Sequence, residues 1–146
     1  MLVEGLYAVL STNADLQALL GTTTSRSDST TGIFPGLLPE EVPMPALVYQ
    51  QIAGAPLQES LQGTGALTST RIRFTAYGST YKQARELGRV LNLLMISIDG
   101  TLPAGEAEVH GVWLKLDADD AESIPHGTLY ANHRDYEINY IDGDTE

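Results

Sequence analysis

Cysteine is missing from this chain, and basic side chains are scarce: eight Lys and Arg stand against nineteen Asp and Glu. The first absence excludes a disulfide framework and thiolate metal sites. The second leaves a net charge of −11, which argues against gripping nucleic acid through its phosphates. An acidic surface past which DNA slides without sticking remains compatible with that charge. No apolar run approaches the roughly 20 residues of a membrane span. The opening Met1-Leu2-Val3-Glu4 lacks the basic lead of a signal peptide, so assembly in the cytoplasm is expected.

Catalytic signatures are equally sparse. The fourteen glycines form neither GxGxxG nor a P-loop, and no Gly-x-Ser-x-Gly elbow or HExxH pair occurs. His110, His126 and His133 are spread over strand and loop rather than clustered. Asp117, Asp119, Asp120 and Glu122 are dense enough for a hard cation, but their spacing does not fit the twelve-residue calcium loop. No glycine makes a turn inside the cluster. The expectation is a protein with no catalytic residues, no metal and no cofactor.

What is present is an ordinary globular composition in 146 residues, 42% hydrophobic and 18% charged. One domain over residues 1–146 is expected, able to bury roughly 70% of its unfolded surface. Val3, Leu6, Tyr7 and Leu10, then Leu16, Leu19 and Leu20, recur at helical spacing and predict two short helices or one bent one. Ile33 to Gly36 reads as a short extended piece, and Ala46 to Ile52 as a strand. Arg71 to Tyr77 alternates strictly, with Ile72, Phe74 and Ala76 on one face and Arg71, Arg73, Thr75 and Tyr77 on the other. A helix follows from Ser79 to about Ile98, its stripe made by Ala84, Leu87, Leu91, Leu94 and Ile98. Val109 to Leu116 predicts a strand with Val112, Leu114 and Leu116 opposite Trp113 and Lys115. Leu129 to Ile141 predicts the last strand. Polar stretches at about 22–32, 53–66 and 117–128 are expected as mobile loops. This order predicts an α+β fold: a two-layer sandwich of a mostly antiparallel sheet, covered on one face by a long central helix and the N-terminal helices.

Charge is distributed unevenly along that frame. Arg71, Arg73, Lys82, Arg85 and Arg89 crowd a central segment holding one acid, Glu86, while eleven acids follow Gly105. In a self-associating protein such asymmetry supplies a subunit interface. The residues expected there are Arg85 and Arg89 against Asp117, Asp119, Asp120 and Glu122. Trp113, on the less buried strand face, is the candidate partner contact, since tryptophan is enriched at binding hot spots.

Several phrases taken in order resemble the tail completion or tail terminator family of long-tailed bacteriophages. They are Leu6-Tyr7-Ala8-Val9-Leu10, Asp15 to Leu19, Ile33-Phe34-Pro35-Gly36, Pro45 to Ile52, Arg71 to Tyr77 leading into Tyr81-Lys82-Gln83-Ala84-Arg85, and Gly127 to Tyr130 with Asp135-Tyr136. The resemblance implies a virion protein that forms a ring, typically hexameric, caps the tail tube, ends its polymerisation and joins it to the head connector. Its implied partners are further copies of itself, the tube protein and the connector, with DNA passing unbound through the lumen and no membrane involved. Another phage neck or head-completion ring protein is the runner-up. A small metal-dependent hydrolase using the acidic cluster, or a ligand-binding α+β domain, would be rivals of a different class.

Overall fold

The computed structural model describes residues 2–20, 32–38, 44–56, 67–102, 107–125 and 127–141. The first two helices are α1 (Leu2–Thr12) and α2 (Ala14–Leu20). They break at Asn13, whose Oδ1 accepts from the Leu16 N–H at 3.0 Å and so caps α2. Leu2, Leu6 and Leu10, with Leu16 and Leu20, carry their apolar stripes into the core.

Thr80 starts α3 (Tyr81–Met95). Its hydroxyl accepts from the Gln83 N–H at 3.0 Å, and Gln83 Oε1 accepts in return from the Ser79 N–H at 2.7 Å. This reciprocal arrangement satisfies donors that a helix start otherwise leaves open. The buried stripe is Ala84, Leu87, Gly88, Leu91 and Met95. The stripe ends on Met95, so Leu94 and Ile98, which the sequence placed on it, are only half-buried: Leu94 beside it within the helix and Ile98 beyond its end.

Six strands complete the chain: β1 (Ile33–Pro35), β2 (Ala46–Pro56), β3 (Leu67–Gly78), β4 (Gly100–Thr101), β5 (Glu108–Ile124) and β6 (Gly127–Ile141). They form one sheet in the order β1-β2-β3-β6-β5-β4. β1 runs parallel to β2, and every other pair is antiparallel.

The expected helix-covered two-layer sandwich does not form. Strand accounts for 53% of the structure, the six-stranded sheet is mixed, and it curls into a half-barrel accompanied by three short helices. The reason is one of length. Fifteen residues of α3 rise about 22 Å at 1.5 Å each, whereas the seventeen residues of β5 run on the order of 55 Å. No helix here can cover such a sheet. Register shifts at Gln51/Ala53, Val109/Gly111 and Leu114/Leu116 bend the strands further.

Two loop expectations are corrected with it. The acidic span 117–128 is not a loop: β5 continues through it to Ile124, and β6 begins at Gly127. Residues 53–56 belong to β2, while 57–66 and 21–31 lie outside the described residues.

The core sits between the helices and the sheet face bearing Leu47, Ile72, Phe74, Ala76, Tyr136 and Ile138. Phe74 and Tyr136 meet edge-on with ring centroids 5.9 Å apart, a geometry adding about 0.5–1.5 kcal/mol beyond area burial. The Tyr136 hydroxyl donates to Asn92 Oδ1 at 2.8 Å, so its polar end is satisfied on α3. Burial pushes this phenol up to about 12, despite the opposing pull of Arg134.

At Gly88 the helix α3 packs tightly on side chains of β6. A methyl group there would lie 2.1 Å from Asn132 Oδ1 and 2.9 Å from Arg134 Nε. In an open helix Gly88→Ala would stabilise by about 1 kcal/mol. Here crowding should reverse the sign and destabilise by about 1–3 kcal/mol. Urea unfolding checks this, and a Gly88→Ala protein at least as stable as wild type would show that α3 stands further from β6.

Candidate functional site

Alternation along paired strands assigns each side chain of the β5–β6 hairpin to a face. On β6, Asn132, Arg134, Tyr136 and Ile138 point toward α3, while Ala131, His133, Asp135 and Glu137 point to the opposite face. On β5, Val112 and Leu114 pair with Ile138 and Tyr136, and Trp113 pairs with Glu137. The bulge between Leu114 and Leu116 then shifts the phase. Leu116 pairs with Asp135, so it leaves the Val112 face expected of it. Asp117 and Asp119 now oppose Arg134 and Asn132 on the α3 side. Asp120 and Glu122 oppose Ala131 and Leu129 on the other.

The inward acids are engaged within the chain. Arg85 Nη1 donates to Asp117 Oδ1 at 3.0 Å and to Asp119 Oδ1 at 3.2 Å. Asn132 Nδ2 donates to the same two carboxylates at 2.8 and 2.9 Å. The Tyr81 hydroxyl donates to Asp119 Oδ2 at 2.9 Å. Beneath them Arg134, 6% exposed, donates through Nε to Asn132 Oδ1 at 2.7 Å, with its Nη2 3.5 Å from Asp117. Burial opposes ionisation of Asp119, but the hydrogen bonds from Tyr81, Asn132 and Arg85 prevail and its carboxyl titrates below the usual range. These bonds explain how a run as acidic as Asp117 to Glu122 holds strand geometry.

Of the residues expected at a subunit interface, Arg85 therefore meets Asp117 and Asp119 inside its own subunit. Arg89 pairs with Glu86, Nε to Oε1 at 2.6 Å, on the solvent side of α3. Among the described residues Asp120 and Glu122 have no cationic partner; Asp120 Oδ1 accepts only from the adjacent Ala121 N–H. Trp113 is 47% exposed and folds over Gly111, where an added methyl would lie 2.4 Å from Trp113 Cη2. Trp113 is thus a large, half-exposed apolar side chain on the sheet face turned away from α3.

That face contains a second charge cluster, which the sequence reading missed. Asp135 is 1% exposed. It accepts from Arg73 Nε at 2.7 Å and from Arg71 Nε at 3.2 Å, both from the neighbouring β3. The alternation that put Arg71 and Arg73 on one face was the available signal, but their partner is 62–64 residues away. Next along, Thr75 Oγ1 and His133 Nδ1 lie 2.9 Å apart. His110 Nε2 sits 2.9 Å from Glu108 Oε1, and His126 lies outside the described residues. No group of three or more His, Asp or Glu able to hold a metal ion occurs among the described residues.

Burial of Asp135 disfavours its charge, yet Arg73 and Arg71 outweigh that cost and lower its pKa. The sign follows: stabilisation from this pair is present above the ordinary carboxylate pKa of about 3.9 and is lost as pH falls through the lower folded value. Solvent screens the arginines, which are 41–43% exposed. Asp135→Asn should therefore cost about 1–2 kcal/mol at neutral pH. The difference from wild type should shrink toward pH 2. Denaturant melts at both pH values test this, and a penalty independent of pH would contradict it.

In overall fold the chain is similar to a chain from a structure described as the virion of native gene transfer agent (GTA) particle, with a TM-score of 0.63 at 14% identity. The likeness covers 92% of this chain and 90% of that one. No family model and no curated protein matches the sequence. At that identity the likeness establishes a shared fold.

Proposed function

We propose that this protein is a structural subunit of a phage-like virion, which forms a ring capping the tail tube, ends its polymerisation and joins it to the head connector. The observation that carries the reading is the likeness, over nine-tenths of both chains, to a chain of a GTA virion. The surface supports it. The sheet face turned away from α3 presents Trp113, 47% exposed. Tryptophan is enriched at binding hot spots, so this exposed side chain suits a partner contact. The excess of acid lets DNA pass a ring lumen without adhering. The reading assigns no chemistry to the subunit, and its hexameric stoichiometry comes from the family resemblance.

The chain carries a single tryptophan, so its fluorescence reports on Trp113 alone. Purified protein should form annular particles in negative stain, with a native mass of six copies. Adding tube ends or connectors should shift Trp113 emission to shorter wavelength as water is excluded, and capped tubes should stop elongating. Rings that bind connectors but leave tube growth unchanged would instead indicate a head-completion ring. A protein that stays monomeric, with unshifted emission beside both partners, would overturn the reading.

A further inference from the structure

Two concavities lie against the β5–β6 hairpin, on opposite faces of the sheet and opposite in charge. The first, about 250 Å³, is lined by Lys82, Arg85, Glu86, Arg89 and Arg134. Four cations and one anion surround it, and Glu86 is already paired with Arg89. Lys82 has no ion-pair partner among the described residues. Arg134, its side chain 7% exposed, supplies a buried charged wall. A rigid guanidinium in a recess of this size suits one or two carboxylates.

The second concavity, about 170 Å³, opens on the sheet face turned away from α3, between Tyr77, Asp120, Glu122 and His133. Burial, then the charges of Glu122 and Asp120, raise the Tyr77 phenol above its ordinary value. That is the response expected near negative charge that no cation offsets. The sheet separates these two acids from the basic recess of their own subunit, because they point away from α3.

We propose that the recess formed by Lys82, Arg89 and Arg134 receives the carboxylates of Asp120 and Glu122 from a second copy of this chain, so that subunits associate front to back. The inference rests on the ring reading above and names its contact. Different surfaces meet at each joint, so the contact is heterologous and repeats until a rotation closes it. A second copy is the favoured occupant because the whole chain is acidic and would repel a polyanion, whereas its outward acids complement the recess. Arg85, Asp117 and Asp119 hold α3 against the hairpin and so keep the recess in shape.

The test uses the full chain and leaves those positioning residues untouched. Lys82→Glu with Arg89→Glu makes recess and donor both acidic; Asp120→Lys with Glu122→Lys makes both basic. Each double variant should sediment as a folded monomer, with association weakened at least tenfold. Mixing the two should restore assembly by alternation and yield only even-numbered rings. Combining all four changes in one chain should restore it too. Circular dichroism melts verify folding, and restoration in the mixture shows that neither variant is merely damaged. Wild type that assembles alongside equally competent double variants would overturn this contact and leave the ring reading standing. Wild type that never assembles would overturn both. If inorganic phosphate binds wild type but not the Lys82/Arg89 variant, and assembly ignores the charge reversals, the recess is a phosphate site and the proposal fails.

Discussion

One extra residue in β5 decides how this surface is organised. Without the bulge at Lys115, strict alternation from Trp113 would turn Asp117 and Asp119 to the face away from α3 and Asp120 and Glu122 under α3. With it, Asp117 and Asp119 oppose Arg134 and Asn132, within reach of Arg85 and Tyr81. A single register slip changes the face of every side chain beyond it. The acids that tie α3 to the hairpin are thereby separated from acids that have no cation to meet.

The consequence is a subunit whose internal electrostatics are settled pairwise across long sequence separations. Arg71 and Arg73 meet Asp135, and Arg85 meets Asp117 and Asp119. The central excess of basic residues and the acidic C-terminal third are, to that extent, the two halves of one fold. Among the described residues, Asp120 and Glu122 on the outer face and Lys82 on the recess rim are charges with no ion-pair partner, and Trp113 is exposed on the face turned away from α3. The ring proposed above needs such groups, because surfaces fully satisfied within the monomer offer a neighbour little specificity.

Elements with a strong period were legible in the sequence. The alternation around Phe74 placed β3, the Leu87/Leu91 stripe placed α3, and the run from Leu129 to Ile141 placed β6. The curl of the sheet was not legible, because it arises from strand pairing and bulges that no single strand encodes. Asp117 to Glu122 read as a loop because acids disfavour strands locally. The pairing with β6 and the bonds from Arg85, Asn132 and Tyr81 override that preference. Arg85 and the acids were expected to meet between subunits; within the subunit Arg85 already engages Asp117 and Asp119. Lys82 belonged to the basic central segment from the outset, but Arg134 carried no sequence signal for the recess, since it is interior only by virtue of its register opposite Asp117.

The sorting of acids by the Lys115 bulge is tested most directly by two double-mutant cycles on the dissociated subunit. One pairs Arg85→Ala with Asp119→Asn, the other Arg85→Ala with Asp120→Asn, each read as unfolding free energy in urea. Partial exposure of these groups limits the first coupling to about 0.5–1 kcal/mol. The account predicts that coupling for Asp119 and none for Asp120. Equal couplings, or a larger one for Asp120, would mean that the strand keeps its unbroken phase and that the two faces carry the opposite acids.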